Sequence, residues 1–445
     1  MKSEKNASPQ QSNPFDELEL PEGWTLTKIR DLVTINYGKG LKQANRAGGS
    51  VSVYGSNGIV GAHNKALTNG PSIIIGRKGS IGEVHYSAQP SWPIDTTYYI
   101  DQFKDVDQTF LVFALKMLNL SNLDTSTAIP GLNRNDIYDQ KIPFPPLDEQ
   151  QRIVARVEAL LSHVDAAGDR LSRVPAIMKK FRQAVLAAAC SGRLTEEWRE
   201  ENPDVEPVKN LLKKIHNESL KVTTREKKNT ETGDNCVVSS FFDIPNMWGW
   251  VLIEEILKNP QHLSYGILKP GDPDPNGVPM VRVLDIGNWG LNKTKIMRVS
   301  PLLAAQYERT KLEEGDILLA VMATVGRAII VPPSLKGANV NRALAVIRLH
   351  PLINPHYACN VIRSPYFQDV FASEKIGSAQ ARINISDLRK FSFPLPPLAE
   401  QHEIVRHVEA LFERADAIER EVAAAGRRCE RLTQAVMVKA FSGRL

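Results

Sequence analysis

The chain has 445 residues, 42% hydrophobic and 24% charged, with a net charge of +5. That balance suits a globular protein of two or three domains and excludes a collagenous or wholly disordered one. Four scattered cysteines (Cys190, Cys236, Cys359, Cys429) form no CxxC pair, and no apolar run has transmembrane or signal-peptide character, so a reduced, cytoplasmic protein without a disulfide framework or membrane partner is expected.

Residues 1–19 are polar and proline-spotted and read as a disordered tail. Residues 20–146 read as a first α+β globule. Short apolar runs punctuated by glycine (SVSVYGSNGIVGAH, PSIIIGRKGSIGEVHY, TTYYID) predict strands and tight turns, and residues 108–119 predict one helix. Residues 147–194 predict a first long helix. Residues 195–245 are highly charged, with one short helical piece near 208–220, and read as a linker. Residues 246–397 predict a second globule, with VPMVRVLDI, GDILLAVMATVGRAIIVPP and NRALAVIRL as strands and residues 356–372 as a helix. Residues 398–445 predict a second long helix.

The two long helices are a repeat. Residues 142–194 align with 393–445 without a gap, at a constant offset of 251, and such a repeat dictates the architecture. Steps of four and three land on Ile153, Val157, Leu160 and Val164 in one copy and on Ile404, Val408, Leu411 and Ala415 in the other. This is the 3.5-residue seam of a left-handed coiled coil. A seam of 36 positions from residue 153 to residue 188 is roughly 54 Å long at ~1.5 Å per residue. Parallel pairing would crowd both globules at one end. Antiparallel pairing buries both seams alike and is favoured. Pro175 and Gly426, at matched positions, predict a weak point halfway along each helix. Outside the globules' closing segments the two copies read as divergent.

Each globule has a long basic stretch without a carboxylate. Residues 38–82 carry Lys42, Arg46, Arg77 and Lys78, with Tyr54 and Asn57 nearby; residues 317–368 carry Arg327 and Arg342, with Asn339 and Asn341. Lys and Arg displace counterions from phosphates, and Arg and Asn can read base edges. A nucleic-acid polyanion is therefore the expected ligand, with Lys42, Arg46, Tyr54, Asn57, Arg77, Lys78, Arg327, Asn339, Asn341 and Arg342 as the candidate contacts. Asn133 and Arg134 (PGLNRND) and Gln380 and Arg382 (GSAQARINIS), in loops leading into each helix, are secondary candidates. No Walker loop, HExxH or Asn-Pro-Pro-aromatic tetrad occurs, so no catalytic or metal residue is assigned.

The repeated PPLxEQxxIVxxVExL…QAV…SGRL segment, with GRLTEEWREENP after the first copy, resembles the specificity subunit of type I restriction-modification enzymes. The resemblance implies double-stranded DNA as the ligand, two target-recognition domains each reading half of a split asymmetric sequence, and two antiparallel helices setting the gap. It also implies two docked methyltransferase subunits carrying S-adenosylmethionine chemistry, and motor-nuclease subunits using ATP and Mg. The specificity chain itself would need no cofactor. Two rivals stand beside it: a coiled-coil protein whose globules bind protein, and an undetected nuclease or methyltransferase.

Overall fold

A computed structural model describes residues 13–123, 131–223, 242–292, 295–373 and 382–445. It contains two compact units, residues 1–173 with 422–445, and residues 174–421.

The strands of the first unit are β1 (Thr25–Lys28), β2 (Asn36–Tyr37), β3 (Val51–Gly55), β4 (Gly58–His63), β5 (Ser72–Gly76), β6 (Val84–Ser87), β7 (Ser91–Pro93), β8 (Thr97–Ile100) and β9 (Lys141–Phe144). They form sheets in the orders β2-β8-β5-β6, β4-β3-β7 and β1-β9. All pairs are antiparallel except β3 with β7. β5 is buried along its whole length, which explains its unbroken apolar run. The helices are α1 (Ile29–Leu32), α2 (Gln108–Met117), α3 (Arg134–Tyr138) and, up to Arg173, the 44-residue α4 (Leu147–Cys190), whose remainder belongs to the second unit.

The second unit holds α5 (Glu196–Glu201) and α6 (Val208–Thr223), then β10 (Gly249–Leu252), β11 (Val278–Val281), β12 (Met297–Val299), α7 (Pro301–Ala305), β13 (Ile317–Ala320), β14 (Ala328–Ile330), β15 (Asn339–Val340) and β16 (Leu344–Ile347). α8 (Pro355–Arg363), α9 (Pro365–Ser373), α10 (Ile385–Arg389), β17 (Ser392–Leu395) and the 44-residue α11 (Leu398–Phe441) follow. The single helix expected over 356–372 is two, because Pro365 has no N–H to continue the ladder and instead begins α9.

The globules share one topology. β12-β11-β15, with β11 and β15 parallel, repeats β4-β3-β7. β14-β13-β16 repeats β6-β5-β8, and β10-β17 repeats β1-β9. The sequence reading of divergence therefore holds for side chains and not for the backbone.

In each unit the start of one long helix packs against the end of the other, which makes the pairing antiparallel. In the first unit Ile153 and Val157 share a core with Met437, Ala440 and Phe441. In the second, Val185, Leu186 and Ala189 share a core with Ile404, Val405 and Val408, and Leu411 packs at its border. The repeated SGRL motif marks these junctions. Gly192 and Gly443 end their helices at φ +77° and +68°, and a Cβ at either would fall 2.5 Å from Pro245 or 2.2 Å from Pro21, the residues leading into β10 and β1. Only glycine fits both the left-handed backbone and the contact.

The repeated PPLxEQ motif is a second joint. Gln150 and Gln401 are fully buried. Gln150 Nε2 donates to Pro145 O (2.9 Å) and its Oε1 accepts from Asp107 N (2.8 Å), at the start of α2. Gln401 repeats this with Pro396 O (3.0 Å) and Asn354 N (2.8 Å), at the start of α8. The preceding glutamates differ. Glu400 is buried, accepting from Thr195 Oγ1, Arg199 Nη1 and Trp248 Nε1 at 2.6–2.7 Å, whereas Glu149 faces solvent in part and pairs with Arg152.

Several expectations change. Leu160 is 43% exposed and Leu161 packs in its place; against the globule the helix keeps its own ~3.6-residue period rather than the strict heptad. α4 and α11 run unbroken through Pro175 and Gly426. Residues 13–19, expected in the tail, are anchored by fully buried Phe15, which packs on Phe110 and Phe441, and by Asn13 Nδ2 donating to Lys141 O; residues 1–12 lie outside the described residues. The segment expected as a linker contributes Val208, Leu211 and Ile215 of α6 to the second unit's core, and residues 224–241 of it lie outside the described residues.

Candidate nucleic-acid interface

In the first unit, Arg77 follows β5 and Arg134 opens α3, and both guanidiniums lie against the ring of Tyr37, at 5.2 and 4.9 Å from its centroid. Tyr37 is 51% exposed and meets Tyr98 edge-on. Burial pushes the Tyr98 hydroxyl up to about 12, helped by Tyr37 and opposed by Arg77, so that hydroxyl stays protonated and donates to Leu132 O (2.9 Å). Arg77 Nη1 donates to Asp95 O (3.2 Å) and Arg134 Nη1 to Ile35 O (3.3 Å), while Arg134 Nε is buried without a partner. Lys78, Lys42 and Asn57 are exposed, Asn57 at the tip of the β3–β4 hairpin. Asn133 caps α3 through its side chain.

Two positions in this unit are occupied by structure. Tyr54 is 8% exposed in β3, facing His85. Arg46 donates to Val60 O (2.7 Å) and Leu41 O (3.5 Å) and lies along Gly61, where a Cβ would press on its side chain. It braces the hairpin in this conformation, and its Nε is buried without a partner.

In the second unit, Arg342 and Arg382 line a concavity of about 450 Å³ with Tyr265, Gly266, Leu268, Tyr307 and Met322. Arg382 is fixed by Nε and Nη2 donating to Asn384 Oδ1 (3.2 and 3.0 Å). Asn341 Oδ1 is buried without a partner. Arg327 Nη1 donates to Ile286 O (3.4 Å). Asn339 is 2% exposed and sits in the core of this structure, donating to Ala304 O and accepting from Thr310 Oγ1. Gln380 lies outside the described residues.

The acid-free stretch of this unit is less free than its sequence suggests. Arg348 pairs with Asp316 (2.7 Å) and Glu313 (2.8 Å), just outside the stretch, and Arg363 donates to Ala328 O and stacks over Trp289. Sequence reasoning missed Tyr37, Tyr265 and Tyr307, which carry no charge to mark them.

Among the described residues no group of His, Cys, Asp and Glu is placed to hold a metal ion, and no helix is long and apolar enough to cross a membrane. Burial pushes the Cys190 thiol up to about 12 and raises that of Cys359, so neither is a ready nucleophile.

The profile of the family described as "Type I restriction modification DNA specificity domain" matches residues 21–174 and 269–425. The type I restriction enzyme EcoBI specificity subunit of Escherichia coli is 32% identical over 379 residues, covering 84% of this chain and 73% of its own. The EcoDI specificity subunit of the same species is 27% identical over 445 residues, covering 96% and 90%. Among solved structures, the HsdS subunit from Thermoanaerobacter tengcongensis has a TM-score of 0.52 at 20% identity, over 97% of this chain and 99% of that one. A chain from a structure on complex assembly and conformational transition of the type I R-M system has a TM-score of 0.62 at 19% identity, over 96% and 100%. These two likenesses speak for the fold alone. With the family profile on both halves and the EcoBI likeness along most of the length, the chain belongs to the type I restriction-modification DNA specificity family.

Proposed function

We propose that this chain is the non-catalytic DNA sequence-specificity subunit of a type I restriction-modification complex. Each globule reads one half of a bipartite, asymmetric target, and α4 and α11 set the gap between the halves. Two methyltransferase subunits dock on the helices and methylate adenine with S-adenosylmethionine; motor-nuclease subunits add ATP- and Mg-dependent translocation and cleavage.

The observation that carries this reading is one backbone topology used twice with different side chains at matched places. Arg77 N donates to Thr96 O while its own carbonyl accepts from Leu132 N; Val321 does the same with Ala343 O and Ile383 N. Val321 therefore stands where Arg77 does, Met322 where Lys78 does, and Ile385, which opens α10, where Arg134 opens α3. Two heads alike in frame and unlike in polar groups suit two different half-sites.

The test is sequencing of methylated genomic sites in a host carrying the intact system, with DNA binding of the reconstituted methyltransferase complex measured from low to physiological salt. An undivided or palindromic site counts against two dissimilar reading heads. Affinity that ignores salt would favour globules that bind protein, since phosphate contacts weaken steeply as salt rises.

A further inference from the structure

Tyr37 and Tyr265 occupy the same place in the two globules. Tyr37 lies opposite Tyr98 of β8, and Tyr98 lies opposite Ile75 of β5. Tyr265 lies opposite Ala345 of β16, and Ala345 lies opposite Leu319 of β13. Two residues on, Lys39 N donates to Pro93 O (3.0 Å) and Ile267 N to Val340 O (2.8 Å), the last residues of β7 and β15. Each tyrosine precedes a glycine with no room for a side chain: a Cβ would fall 2.0 Å from Ile94 O at Gly38 and 2.1 Å from Val340 O at Gly266. The close approach of two backbone segments leaves the tyrosine at the open edge of the sheet, 51% exposed in one globule and 36% in the other.

The arginines beside these rings are not matched. Tyr37 has Arg77 and Arg134. Tyr265 shares its concavity with Arg342 and Arg382, whereas the residues standing in the places of Arg77 and Arg134 are Val321 and Ile385. Tyr265 is also held by its hydroxyl, which accepts from Ile385 N (3.3 Å) and donates to Ile383 O (3.5 Å). The aromatic platform is kept and the cations around it are supplied from different points of the chain. A ring needed for packing alone would not call for arginines to be found anew.

We propose that the Tyr-Gly step is the shared seat of base reading in both globules. Tyr37 is a positioning residue that holds the forks of Arg77 and Arg134 towards the paired acceptors of a guanine edge, and Tyr265 shapes the concavity from which Arg342, with Arg382 held by Asn384, does the same in the second globule. Guanidinium stacks on aromatic faces, and its fork matches the O6 and N7 acceptors in the major groove. A phosphate offers a similar acceptor pair, and the substitutions below separate the two sources. The proposal rests on the DNA-reading function above.

The experiment uses the full chain in its methyltransferase complex, with methylated-site sequencing and salt-dependent DNA binding as readouts. Arg77→Lys and Arg134→Lys keep the charge and lose the fork. Each is expected to relax one position of a single half-site, with discrimination there falling on the order of tenfold to a hundredfold, while the other half-site and the salt slope stay as in the wild type. Arg342→Lys and Arg382→Lys should act likewise on the opposite half-site only. Tyr37→Ala and Tyr265→Ala should loosen the same positions, and Tyr37→Phe should restore them. Lysine variants that keep full specificity, with alanine variants that lower affinity uniformly and flatten the salt slope, would assign the forks to phosphate and overturn the proposal. So would a specific, active complex unmoved by the alanine changes. A wild-type complex with no salt-sensitive, sequence-specific binding would instead overturn the function on which the proposal rests.

Discussion

Gln150 and Gln401 show what a short motif does physically. Each is fully buried and bonds a proline carbonyl before its helix and an N–H at the start of the packed helix α2 or α8, and Gln150 also donates to Asp105 O. Replacing either by leucine keeps the volume and strands both groups away from water. About 1–3 kcal/mol is expected per stranded group, so Gln150→Leu and Gln401→Leu should each lower the urea midpoint clearly, whereas Arg152→Ala, which removes an exposed pair with Glu149, should move it by less than about 1 kcal/mol. Equal midpoints for leucine variants and wild type would show that these joints are dispensable. The motif was legible as a repeat, yet its role was not, because a sequence shows no partners. The same blindness explains Arg46 and Asn339: charge and amide counts pointed to DNA, and the fold gave them to Val60, Leu41, Ala304 and Thr310. Tyr37 and Tyr265 escaped because they lie 228 residues apart, while the helix repeat is offset by 251; loops of different length hide the match.

At the scale of elements, the long helices were legible from periodicity because a 44-residue amphipathic pattern averages over local accidents. Their ends were less so, since there the partner is a globule and Leu161 replaces Leu160 in the contact. The antiparallel direction needed residues far apart in sequence, and the second unit pins it with one arginine. Arg182, whose side chain is 8% exposed, reaches from α4 to Asp416 and Glu419 of α11, bidentate on the latter. The first unit has Thr433 and Asp165 where Arg182 and Asp416 stand, and so no matching pin. Both acidic partners are partly solvated, so Arg182→Ala should cost about 1–2 kcal/mol rather than the larger loss of a fully buried pair. The hydrogen bond from Arg182 holds the Glu419 carboxyl below its usual value. Its contribution is thus present above the ordinary glutamate range and is lost as pH falls through the lowered value. The difference in thermal midpoint between wild type and Arg182→Ala should shrink on acidification below about pH 4; a constant difference would assign the effect to lost packing alone.

At the scale of the whole chain, the two long helices are the only described elements divided between both units, α4 after Arg173 and α11 after Glu421. A change in their length is therefore the direct test of whether they set the gap between half-sites. Seven residues inserted into each helix at these places preserve the heptad and add about 10.5 Å at ~1.5 Å per residue, the rise of about three base pairs at ~3.4 Å each. The preferred gap is expected to lengthen by about three base pairs in methylated-site sequencing, with both half-sites unchanged. Affinity should fall as well. The duplex turns by roughly 100° over three base pairs, at about 10.5 per turn, whereas a heptad returns a helix face to within ~20° of its starting direction, so the lengthened protein must twist its DNA to use both heads. Insertion into one helix alone leaves seven residues without a partner and should destabilise the protein without producing a new gap. A double insertion that folds, methylates and keeps the original gap would mean that something other than the helices measures the DNA.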